Sequence, residues 1–152
     1  MDLYKIIEIE KRIKDEIRQC DTRLEQAKPS EHPVIILEKE TLEAELKYRW
    51  AKYKYEDKVE RLANIYTAYG EEGINEKNYD EYLSKNSEDD FAYTSSIDFL
   101  TPITSPNRVK RDLSNLEYEV KITEKEWTKK LEVWESSAAL SKDKSKDETL
   151  NV

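Results

Sequence analysis

The sequence predicts an all-α chain: an antiparallel helical hairpin with coiled-coil-like seams, a third long helix, and an acidic, flexible, largely irregular loop between helices 2 and 3. Three observations carry this expectation. Apolar residues recur at alternating spacings of three and four through the first 27 positions, the repeat that lines side chains along one helix face. Only 2 glycines and 4 prolines punctuate 152 residues, so long uninterrupted elements are allowed. The acidic excess is confined to residues 70–98, where nine acids face Lys77 and Lys85 alone, while the flanking regions are close to neutral.

The first helix is expected over residues 3–28. Leu3, Ile6, Glu10, Ile13, Ile17, Cys20, Leu24 and Ala27 form its seam, apolar at every position but Glu10. Ile7 and Ile9 widen that face, so the helix offers a contact to more than one neighbour. Lys28-Pro29 ends it, because the residue before a proline is pushed out of the helical region. A turn from Pro29 to Pro33, containing His32, then leads to a second helix over residues 36–69, which Gly70 is suited to close.

The second seam is less regular. Leu42, Leu46, Trp50 and Tyr53 make one stripe, and Tyr55, Val59, Leu62, Tyr66 and Tyr69 make another about two residues out of phase. That offset predicts a change of partner near residue 54. At a rise of ~1.5 Å per residue the second helix is about 50 Å long and the first about 38 Å, so the last third of the second should project beyond the first.

Residues 70–111 read as an acidic linker, with room for a short helix over residues 76–83. The third helix is expected over residues 112–140, opened by the capping-box pair Ser114 and Glu117. Its seam is Leu113, Leu116, Val120, Trp127, Leu131, Trp134 and Ala138, interrupted at Thr123 or Glu124. Residues 141–152 alternate Lys, Asp and Ser and are expected to be disordered.

Composition narrows the function. Leu, Ile, Val and Phe supply 33 residues, about 22%, just above the level at which chains usually stay unfolded. The longest apolar run, Val34 to Leu37, is far short of the roughly 20 residues that cross a bilayer. The N-terminus lacks the apolar stretch of a secretory leader, so an intracellular protein, cytoplasmic or nuclear, is expected. One cysteine, Cys20, and one histidine, His32, supply neither an internal disulfide nor a zinc ligand set. Gly70 and Gly73 stand apart from the pattern of a phosphate-cradling loop. No nucleophile-and-base arrangement is legible, so the expectation is no enzyme, no cofactor and no metal.

What remains is association. The expected function is a non-catalytic helical assembly or adaptor subunit that binds other proteins, homo- or hetero-oligomeric, through heptad faces and an acidic-hydrophobic docking segment. The contact residues singled out are Ile6, Ile13, Ile17 and Leu24 on the first helix and Trp127 and Trp134 on the third. Phe91, Ile97, Phe99 and Leu100 do the same in the acidic stretch, where aromatic and aliphatic side chains exceed what a spacer needs. Thr101-Pro102 and Ser105-Pro106 are candidate phosphorylation sites beside Arg108, Lys110 and Arg111. The alternative is a nucleic-acid-associated factor using the basic-aromatic run 46–55, with Lys47, Arg49, Trp50, Lys52 and Lys54 as contacts. The surrounding acids disfavour nucleic acid as a partner, and an acidic nucleic-acid mimic would need a rigid array of carboxylates that the 70–98 segment does not suggest.

Overall fold

A computed structural model describes residues 2–70, 73, 81 and 106–150, with side chains described through residue 140. The described chain is all-α, with three long helices and no strand among the described residues. Helix α1 spans Leu3–Gln26, a 3-10 turn spans Pro29–Glu31, α2 spans His32–Tyr69 and α3 spans Pro106–Leu150.

Local chemistry sets the ends. Asp2 caps α1, its carboxylate accepting the Lys5 N–H at 2.9 Å, which satisfies one of the orphan donors of the first turn. Ala27 and Lys28 are extended, as the residue ahead of Pro29 must be. Gly70 closes α2 at φ 79°, donating its N–H to Tyr66 O at 2.9 Å. A left-handed backbone is what glycine adopts without a Cβ penalty.

Helix α1 ends two residues before the expected Lys28, and three other boundaries differ by four residues or more. Helix α2 starts at His32 and takes Pro33 into its first turn, four residues before the predicted start. Helix α3 starts at Pro106, inside the stretch read as linker, and leaves Ser114 and Glu117 in its interior. Both shifts have one cause: proline lacks an N–H but has a helical φ, so it is as good at a helix start as it is bad in a helix interior. At its other end α3 continues through Leu150, where composition predicts disorder from residue 141. No glycine or proline interrupts that stretch, and adding a residue to an existing helix is far cheaper than nucleating a new one.

The chain divides into two compact units, Met1–Tyr53 with Glu119–Val152, and Lys54–Tyr118. Helix α2 passes from one to the other between Tyr53 and Lys54, beside the offset between its two stripes of large residues. In the first unit, ion pairs join α1 to α2 in opposite sequence order: Arg12 to Glu45 at 3.3 Å, Asp21 to Lys39 at 2.7 Å, and Arg23 to Glu38. Helix α3 reaches α2 through Lys130 and Glu40 at 3.3 Å, and through the Thr41 hydroxyl, 3.2 Å from Lys130 O and 2.7 Å from Leu37 O. In the second unit, Tyr55 donates its hydroxyl proton to Glu117 Oε1 at 3.1 Å, and Lys58 lies 3.5 Å from Asp112 Oδ2.

The fully buried positions correct the predicted stripes. On α1 they are Ile6, Ile13 and Cys20, one heptad apart, with Ile17 half-buried between the last two and Leu24 half-buried beyond them. On α2 they are Thr41, Ala44, Ala51, Lys58, Leu62 and Ile65, all in one three-four register that does not change phase. Of these, only Leu62 belongs to the two stripes read from the sequence. Large residues marked those stripes, whereas close approach of helices favours small ones. Leu42, Leu46, Trp50 and Tyr53 flank the contact and are half-buried.

Candidate protein-interaction surfaces

The α1 seam divides into two kinds of position. Ile6 and Ile13 are 0% exposed, so the chain itself covers them and they hold the fold. Ile17 and Leu24 keep part of their surface open. Cys20 is 1% exposed, and burial, reinforced by the Glu38 carboxylate, pushes its thiol above the ordinary range. It is held as a protonated small hydrophobe. His32, at the start of α2, has Nε2 at 3.2 Å from Ala27 O and ties the turn to the end of α1.

Trp127 and Trp134 lie one heptad apart on α3, and both are half-buried. Trp127 stacks on Tyr48 of α2, with ring centroids 5.3 Å apart and planes at 24°. The Arg49 guanidinium sits 5.3 Å from the Trp127 ring and 6.0 Å from the Tyr48 ring, with Nε 3.5 Å from Glu45. Cation, ring and ring thus form one layer, the geometry in which an arginine is attracted to an aromatic face. Trp134 lines an open groove of about 690 Å³ with Ala27, Val34, Ile35 and Ala138, rimmed by Arg23, Glu31 and Glu38.

The basic-aromatic run of α2 is spread around the helix. Lys47 and Lys54 are exposed and Lys52 is half-buried. Arg49 is engaged by Trp127 and Glu45, and Trp50 meets Tyr53 edge to face at 5.6 Å and 89°. These five residues do not form one flat stacking platform. Phe91, Ile97, Phe99, Leu100, Thr101 and Ser105 lie outside the described residues.

One cluster escaped sequence reasoning. Asp112 on α3 gathers Lys58 at 3.5 Å, Arg108 at 3.6 Å and Arg111 at 3.6 Å. Lys58 and Arg108 are only 2% and 3% exposed. Burial lowers the Lys58 ammonium below the ordinary lysine range, opposed by the Asp112 charge and assisted by Arg108. The spacing of Arg108 and Asp112 by four hinted at a pair. Lys58 was legible only in retrospect, because it sits one heptad after Ala51. Across the helices, Glu117 accepts from Tyr55 and raises that phenol above its ordinary range, mainly through the hydrogen bond.

Among the described residues no group of three His, Cys, Asp or Glu side chains is placed to hold a metal ion. No described helix is long and apolar enough to cross a membrane. No known family model, curated protein or solved structure matches the chain.

Proposed function

We propose that the chain is a non-catalytic helical subunit that assembles with other proteins through its heptad faces and presents residues 89–100 as a docking segment. The observation that carries this reading is the incomplete cover of the α3 seam. Leu113, Leu116, Val120, Trp127, Leu131 and Trp134 are each half-buried, and none is fully enclosed. A seam of this length with two tryptophans is expensive to leave wet, since each large apolar side chain is worth about 1.5–3 kcal/mol when fully buried. Tryptophan is also the residue in which binding energy most often concentrates. The groove beside Trp134 adds an open apolar surface at one end of that seam.

The test is the native complex. Cross-linked assemblies containing the chain are recovered from its own cells with the unaltered chain, with Trp134→Glu, and with residues 89–100 replaced by a Gly-Ser linker of equal length. Loss of partners in both variants, with helicity retained by circular dichroism, is the expected outcome. Retention of every partner in both variants overturns the proposal.

A further inference from the structure

Helix α3 carries a second stripe on the side away from Trp127 and Trp134. Ile122, Lys125, Lys129, Val133 and Leu140 follow one another at spacings of three, four, four and seven, which places them along one face. Ile122, Val133 and Leu140 are 44%, 46% and 63% exposed, large values for side chains of their size. Lys121, Lys125 and Lys129 are exposed as well, and none of the three forms an ion pair with a described residue.

The lysine ladder is unfavourable by itself. Like charges four apart on a helix repel, and here two such steps follow in succession. Glu117 and Glu124 lie four before and three after Lys121, and Glu126 and Glu132 three before and three after Lys129, yet none of these acids forms an ion pair with the three lysines. The face therefore offers cations in its middle and apolar side chains at its flanks. The chain also contains the complement: Glu88, Asp89 and Asp90 directly before Phe91, and Asp98 between Ile97 and Phe99-Leu100. The four acids of the segment, set beside apolar side chains, complement a row of three lysines that keeps a net positive charge after Glu126 and Glu132 are counted.

We propose that this outer face of α3 is the receptor for the 88–100 segment of a second copy of the chain. The inference rests on the docking role assigned to that segment above and names its partner. The arrangement is reciprocal: each copy gives its acidic segment and receives the other's, as a two-fold symmetric dimer requires. Acids meet the lysine ladder, and Phe91, Ile97 and Leu100 cover Ile122, Val133 and Leu140. Charge complementarity of this kind sets partner choice and register, and it weakens as salt rises.

The experiment uses the full chain in three forms: unaltered, Lys125→Glu/Lys129→Glu, and Asp89→Lys/Asp90→Lys. Light scattering over a hundredfold concentration range reads association, and circular dichroism verifies that helicity is unchanged. The unaltered chain should associate. Each variant alone should associate about tenfold more weakly, because the first sets an acidic face against an acidic segment and the second leaves the segment without net charge to offer the lysines. An equimolar mixture of the two variants should recover association, since the unaltered lysine face of one then meets the unaltered acidic segment of the other. A monomer at every concentration, or association indifferent to both variants, overturns the inference. So does binding of the lysine face to anionic lipid vesicles without self-association. If the chain stays monomeric yet loses a foreign partner when residues 89–100 are replaced, the self-association fails while the docking role stands.

Discussion

At the scale of the residue, a buried thiol and a half-buried carboxylate make the sharpest predictions. The Cys20 thiol is raised by burial, so the folded chain keeps its proton at a pH where the unfolded chain has lost it. Stability contributed by the protonated thiol is complete below about pH 8.5 and falls as pH rises above that value. In the native state Cys20 should react with an aromatic disulfide reagent only as fast as the chain opens. A Cys20→Ala variant should lose this alkaline sensitivity; fast labelling of the unaltered chain at neutral pH would contradict the buried placement. Asp112 is the second case. It faces Lys58, Arg108 and Arg111, and Asp112→Asn removes its charge while keeping its shape. Removing one partner of a buried pair leaves charge poorly compensated, and we expect a loss of about 2 kcal/mol in denaturant unfolding. Because the Lys58 ammonium is lowered in the fold, that deficit should shrink as pH rises towards the ordinary lysine range and Lys58 becomes neutral. A deficit constant with pH would mean that the Asp112 charge is not what matters.

At the scale of the element, the lesson concerns which side chains advertise a helix contact. The α1 seam was legible because isoleucine and leucine mark it, and Ile6, Ile13 and Cys20 are buried at its seven-residue spacing. The α2 seam was not, because Thr41, Ala44 and Ala51 mark it, and small residues carry little weight in a search for hydrophobic stripes. The same limit applies to helix starts, where Pro33 and Pro106 read as breakers and act as first-turn residues. Lys58 was hidden for another reason: a buried lysine depends on carboxylates far away in sequence, which no local pattern displays. A pair of substitutions tests the α2 reading. Ala51→Leu inserts three carbons where the side chain is 1% exposed and should cost about 1–3 kcal/mol by overpacking. Val59→Ala alters a side chain that is 41% exposed and should change stability by about 0.5 kcal/mol or less. The reverse ranking in thermal or denaturant unfolding would place the contact on the stripes of large residues instead.

At the scale of the whole molecule, the balance between covered and uncovered apolar surface sets the behaviour of the chain. The fully buried hydrophobic residues among those described are Ile6, Ile13, Cys20, Ala44, Ala51, Leu62 and Ile65, three of which are small. Against them stand exposed large side chains on all three helices, among them Leu3 and Tyr4 on α1, Val59 and Tyr66 on α2, and Val133 and Leu140 on α3. A core this thin leaves a net stability that is a small difference between large opposing contributions. Whatever binds the folded form then adds to stability by mass action, while the unfolded chain gains nothing. The thermal midpoint of the unaltered chain should therefore rise with its own concentration. It should rise less in Lys125→Glu/Lys129→Glu, which alters only exposed positions and leaves the half-buried seam of α3 intact. If both midpoints are independent of concentration while added partner protein raises both equally, the stabilising contact lies on the Trp127 and Trp134 side of α3. A rise in the unaltered chain alone would assign it to the opposite face, because the two faces share one helix and the substitutions change the charge of that face alone.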